Sequence, residues 1–159
     1  MNIDILCVGK IKEKYLSDAI LEYSKRLSRY CNLKIIEVQD EKTEENASDA
    51  VCEKIKKAEA DRLMKYIKSN ACIFSLEIDG KQYSSPQFSN EISSLMVDGF
   101  NDIQFVIGGS IGLHESITGI AKKHISFSKM TFPHQLMRVI LLEQIYRAYR
   151  IMNNEPYHK

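Results

Sequence analysis

The chain has 159 residues, 44% of them apolar and 27% charged, with a formal net charge of +1. That suits one globular domain spanning 1–159 and excludes neither an acidic nor a basic partner. No apolar run approaches the roughly 18 residues of a membrane-spanning helix; MNIDILCVGK has no basic lead or cleavage site, and the dispersed cysteines make no CxxC pair, so a reduced, cytoplasmic chain is expected.

In chain order, NIDILCVG (2–9) is short, β-branched and almost continuously apolar, the pattern of a strand covered on both faces. Leu16, Ala19, Ile20, Tyr23, Leu27 and Tyr30 follow at helical spacing. NLKIIEVQD (32–40) reads as a second strand. The acidic stretch after it is expected to be a loop, with Ser48 or Asp49 capping a helix marked by Val51, Ile55, Ala58, Leu63, Tyr66 and Ile67. CIFSLEID (72–79) is a third strand ended by Asp79-Gly80. Ser85-Pro86 then starts a helix that Gly99 stops. IQFVIGG (103–109) is a fourth strand, LHESITGIAKK a short helix, HISFS (124–128) a fifth strand, and 134–152 the last helix. Strands alternating with helices predict an α/β fold, a mostly parallel sheet with helices on both faces.

The charge is uneven. Segment 37–49 holds six acids and one lysine, −5, which leaves +1 − (−5) = +6 for the remainder. A basic face elsewhere would suit a phosphate backbone, and scattered solvated lysines would give the same sum.

Open parallel sheets bind ligands outside the carboxyl ends of their strands, so the strand exits carry the search. GGSIG (108–112) leaves a buried strand and enters a helix. Glycines there admit a ligand to the backbone, although a tight βα turn needs them equally. No GxGxxG or GxxxxGK[ST] occurs, which argues against an ordinary nicotinamide-dinucleotide or triphosphate site. SFSKMTFP (126–133) mixes hydroxyls with Phe127, Met130 and Phe132, a lining for a flat ring with polar edges. The last helix is apolar all round in its first two turns, so something must cover every side: another helix or a second copy of the chain. Arg138 lies amid that surface, where an unpaired cation is costly, and requires a carboxylate, carbonyl or ligand as partner. Tyr157, His158 and Lys159 end the chain with a stacking ring, an imidazole and a cation, a set suited to RNA or simply to a frayed end. There is no HExxH, no Cys/His cluster and no carboxylate array, so no metal is expected.

VGKIKEKY (8–15), FVIGGSIGLH (105–114), FSKMTFPHQLMRVILLEQIYRA (127–148) and the terminal YHK together resemble the RlmH family, SPOUT-class methyltransferases of the large ribosomal RNA. The resemblance covers essentially the whole chain. It implies an alpha-beta knot fold with a C-terminal trefoil knot, a homodimer packed through the knot and last helix, and S-adenosyl-L-methionine as cofactor. It implies methylation of N3 of pseudouridine 1915 in helix 69 of 23S rRNA, on the assembled 70S ribosome. Carried over by motif, cofactor contacts fall on Leu76, Gly108, Phe127, Ser128, Lys129, Met130, Thr131 and Phe132. His158, His134 and Tyr157 become candidate bases for the N3 proton, with Arg138 a candidate stabiliser of charge on the uracil ring. The acidic 37–49 segment is expected to face away from RNA. Two rivals remain at this point: an oxidoreductase on an ordinary dinucleotide-binding sheet, and a non-catalytic ribosome-binding factor on the same scaffold.

Overall fold

The computed structural model describes residues 1–156, so the calls on Tyr157, His158 and Lys159 lie outside the described residues. Five strands alternate with five helices: β1 (Asn2–Val8), α1 (Lys14–Leu27), β2 (Asn32–Val38), α2 (Asp49–Met64), β3 (Cys72–Gln82), α3 (Ser85–Val97), β4 (Asp102–Ile107), α4 (Glu115–Thr118), β5 (Lys123–Ser126) and α5 (His134–Met152). The sheet order is β2-β1-β4-β3-β5, and every pairing is parallel. Parallel neighbours need a crossover, which the intervening helices supply.

The period of two along β1 separates two cores. Ile3, Ile5 and Cys7 join Phe74, Phe105 and the buried faces of α1, α3 and α5. Leu6 and Val8 join Ile73, Val106 and residues of α2 and α4 on the opposite face. Each fully buried Ile, Leu or Phe contributes about 1.5–3 kcal/mol. The four cysteines are free thiols, and burial pushes that of Cys7 up to about 12, so it serves as a small hydrophobe. No described helix is long and apolar enough to cross a membrane.

One polar knot sits under α2. Buried Gln104 donates to Asp4 Oδ2 (3.1 Å) and to the Tyr66 carbonyl (2.9 Å), and accepts from Lys68 N (2.9 Å). Lys68 Nζ then spans Asp4 (2.9 Å) and Asp102 (2.8 Å), so each buried polar atom of the set has a partner. It fastens the end of α2 to β1 and β4.

Three sequence expectations shift. α3 is capped by Ser84, one residue before Ser85: Ser84 Oγ accepts from Gln87 N (3.3 Å) while Gln87 Oε1 accepts from Ser84 N (2.9 Å). Gln87 closes a capping box only from that register, and Ser85 Oγ instead donates to Gln144 Oε1 (2.8 Å). β3 does not end at Asp79-Gly80. Leu76 and Lys81 both pair with Ile125, so the chain between them bulges out and rejoins β5. Gly80 makes the return possible, because a Cβ there would stand 2.6 Å from the Ile125 carbonyl carbon. The helix expected from LHESITGIAKK is reduced to Glu115–Thr118, with Gly119 as its C-cap.

On α5, Leu141, Leu142 and Ile145 are buried while Leu136, Val139 and Ile140 remain half-buried. An apolar stripe of the last helix is therefore only partly covered by its own chain.

Candidate functional site

The carboxyl ends of β4, β3 and β5 stand side by side, and their loops enclose a cavity of about 700 Å³. One wall is Leu76, Glu77 and Ile78, carried by the β3 bulge. The second is the turn from Gly108 to Leu113. The third runs from Ser126 to His134 without Lys129, and Met137 closes the back. The size lies within the range of small-molecule sites, and the lining mixes apolar side chains with backbone and hydroxyl groups.

The glycine turn is folded on itself. Gly112 N donates to Gly109 O (3.2 Å), and a Cβ on Gly108 would meet the Gly112 carbonyl carbon at 2.7 Å and its oxygen at 2.8 Å. Only a bare α-carbon fits at Gly108, because the turn's own backbone fills the space a Cβ would take. The third wall is shaped by its own hydroxyls: Ser126 Oγ donates to Ser128 O (3.1 Å), and Ser128 Oγ accepts from Met130 N (3.0 Å). These bonds hold the loop in a tight bend with Met130 exposed. A glycine turn on one side, apolar side chains on another and a hydroxyl-built loop on the third suit a flat ring with polar edges.

Seven of the eight residues named for cofactor contact, Leu76, Gly108, Phe127, Ser128, Met130, Thr131 and Phe132, line this one cavity. Lys129 is exposed and is not part of the lining. His134 sits at the rim, half-buried. Burial first, then the Arg138 cation, hold its imidazole below the usual histidine pKa, against an opposing pull from Asp40. A Cβ on Gly9 would lie 3.4 Å from His134 Nε2 and 3.7 Å from Asp40 Cγ, so the exit of β1 brings these two together.

Arg138 is fully buried, and both of its terminal nitrogens are partnered. It donates to Glu37 Oε1 (2.8 Å), Val8 O (2.8 Å) and Gly9 O (2.7 Å), clamping α5 to the exits of β1 and β2. The acidic segment is consequently no uniform solvated loop. Glu37 pairs with Arg138, Glu41 pairs with Arg62, and Asp40 lies beside Gly9. Lys12 N donates to Gln135 Oε1 (3.2 Å) and ties the GKIKE loop to the start of α5.

The strand exit from Leu76 to Gly80, which holds Glu77 and Ile78, is among the places where the parallel sheet directs a ligand search, but the bulge that delivers these two depends on pairing with β5 and has no sequence signal. Sequence reasoning missed buried Glu59 on α2, whose only signal was a carboxylate on an otherwise apolar helical stripe. The Ser75–His124–Glu77 cluster is not a nucleophile triad. Ser75 Oγ (2.9 Å) and Glu77 Oε1 (2.7 Å) approach the same imidazole nitrogen, and Ser75 is fully buried. No group of three or more metal-capable side chains occurs among the described residues.

Comparison with known proteins identifies the family. The family model described as "Predicted SPOUT methyltransferase" matches residues 1–158. The ribosomal RNA large subunit methyltransferase H of Bifidobacterium adolescentis is 57% identical over 159 residues, and that of Clostridium tetani 56%, each over 100% of both chains. A solved structure described as a probable methylase family protein from Haemophilus influenzae Rd KW20 superposes with a TM-score of 0.58 at 14% identity, covering 99% of this chain and 70% of that one, and supports the fold alone. With the full-length match and identities this high, the chain belongs to the ribosomal RNA large subunit methyltransferase H family of SPOUT methyltransferases.

Proposed function

We propose that this enzyme binds S-adenosyl-L-methionine in the slot between the Leu76, Gly108 and Phe127–Phe132 loops and methylates N3 of a pseudouridine in helix 69 of 23S rRNA, on the assembled ribosome. The observation that carries this is the convergence of three adjacent strand exits on one cavity, one wall of which is a glycine turn with no room for a Cβ at Gly108. The cofactor, when bound, supplies an activated methyl group on sulfur. The chain's own part is to orient and to exclude water: Phe127, Phe132 and Met137 give the slot its apolar walls, and the Gly108–Gly112 backbone offers polar groups at close approach.

N3 of pseudouridine is an imide nitrogen and must lose its proton for attack. His134 is placed for this at the rim, and burial favours the neutral imidazole that can accept a proton. Tyr157 and His158 are alternative bases from the tail. Arg138 would act through its clamp on Val8 and Gly9, steadying the floor beside His134. The half-buried stripe of Leu136, Val139 and Ile140 supports a homodimer through α5. The knotted C-terminal half is read from membership of the SPOUT family.

Thermal and chemical unfolding with added ligand tests the cofactor reading. S-adenosyl-L-methionine or its demethylated product, at about 100 times its dissociation constant, is expected to add roughly 2.7 kcal/mol of stability, and NAD none. A gain with NAD alone would favour a dinucleotide oxidoreductase, and none with any of them a ribosome-binding factor. Primer extension on treated ribosomes then reads the target, since an N3 methyl blocks pairing.

A further inference from the structure

Glu59 lies in the middle of α2 and is nine-tenths buried or more. Its Oε1 accepts from the Glu41 amide (3.0 Å), and its Oε2 has no hydrogen-bond partner among the described residues. Both oxygens abut the glycine turn: a Cβ on Gly109 would stand 3.0 Å from Oε2 and 3.2 Å from Oε1. The carboxyl is thus wedged between the loop after β2, which brings Asp40 to His134, and the turn that forms one wall of the cavity.

The nearby cation does not neutralise it. Arg62, one turn along the same helix, pairs with the Glu41 carboxylate and donates to Gln39 O (2.8 Å). The charged groups facing Glu59 are Asp40 and Glu41 from the loop and Arg62 from α2 itself; Val8 and Gly109, which abut it from β1 and the turn, bring no charge. A buried carboxylate with an unpartnered oxygen is costly and is repelled by Asp40 and Glu41, whereas the neutral acid keeps its place between the Glu41 amide and the Gly109 turn without that repulsion.

We propose that Glu59 is a positioning residue for the cavity: as the neutral acid it locks the Gly109 turn to the loop that follows β2, and its ionisation releases that lock. Burial raises its proton affinity above that of an ordinary glutamate, with Asp40 and Glu41 acting the same way and the Glu41 amide and Arg62 opposing. The sign follows from linkage. A carboxyl that holds its proton more tightly when folded favours the folded state at low pH, and that advantage is lost as pH rises through its folded pKa. The wall should therefore loosen toward alkaline pH. The inference rests on the cofactor reading of the cavity only for its consequence in binding.

The test compares wild type with Glu59→Gln, which keeps one acceptor and one donor but cannot ionise. Amide exchange of the segment 108–113 in cofactor-free protein, corrected for intrinsic rate, is followed between roughly pH 5 and 8. Wild type is expected to open about fivefold or more over that range, and Glu59→Gln to stay flat. The dissociation constant for S-adenosyl-L-methionine should weaken in wild type over the same interval and hold in the variant. Parallel pH profiles for the two proteins would overturn the proposal. If neither binds cofactor at any pH, the cofactor reading falls, while the exchange profiles still decide the role of Glu59.

Discussion

Arg138→Ala is expected to lower the unfolding free energy by about 3–5 kcal/mol, among the largest losses available to a single substitution. The side chain is fully buried and holds three acceptors at once, the Glu37 carboxylate and the Val8 and Gly9 carbonyls. Removing it leaves two buried main-chain oxygens without their donor, takes the partner from the solvent-accessible Glu37 carboxylate, and leaves a cavity the length of the side chain. Arg138→Lys should recover only part of the loss, because a point charge cannot reproduce a planar fork reaching Glu37 through one nitrogen and two carbonyls through another. Urea unfolding measures this directly, as a lowered midpoint with an unchanged slope. A loss under about 1 kcal/mol would place Arg138 in the class of surface pairs and refute its role as the clamp of the β1 exit.

Gly108→Ala should cost about 1–3 kcal/mol of stability as an overpacking substitution. It should also cost about 100-fold in methyl transfer, the scale of an ångström's misplacement in a site. The added carbon would meet the Gly112 carbon at 2.7 Å, its oxygen at 2.8 Å and the Leu113 amide at 3.1 Å, all backbone, so no side-chain rotation relieves it. Gly112→Ala is the instructive control. Its Cβ would enter open space, but its φ of +89° lies where an L-residue pays about 1–2 kcal/mol. Stability should therefore fall in both variants, while cofactor affinity collapses chiefly in Gly108→Ala. Calorimetric titration paired with denaturant unfolding separates the two effects. Wild-type affinity in Gly108→Ala would show that the turn does not shape the slot.

The elements were legible because burial on both faces writes itself into strands such as NIDILCV, and because α5 announces its start with Phe132-Pro133. The site loops were legible as strand exits, a consequence of parallel pairing that needs no three-dimensional detail. What was hidden is what depends on partners distant in sequence. The extension of β3 past Gly80 comes from pairing with Ile125 and Ser126, 44 residues on from Lys81 and Gln82 (125 − 81 and 126 − 82). Composition made 37–49 look like a solvated acidic loop, yet Glu37 and Glu41 are each neutralised by an arginine brought from another element. Glu59, Asp4 and Gln104 read as ordinary polar positions. Their places in apolar strands and on an apolar helical stripe hinted at burial, but the partners that satisfy or crowd them come from other elements and leave no local pattern. The motif resemblance located the cavity's lining more finely than spacing could, but it did not indicate that the Glu77–Ile78 bulge joins it.

A crystal structure of the protein soaked with S-adenosylhomocysteine, the demethylated product, tests the central claim most directly. Density is expected in the slot bounded by Leu76, Gly108 and Phe132, with the adenine against the third wall and no shift of the sheet. Density only in the depression of about 730 Å³ lined by Met1, Tyr30 and Asn32, at the opposite ends of the strands, would contradict the account, as would a slot left empty at saturating ligand.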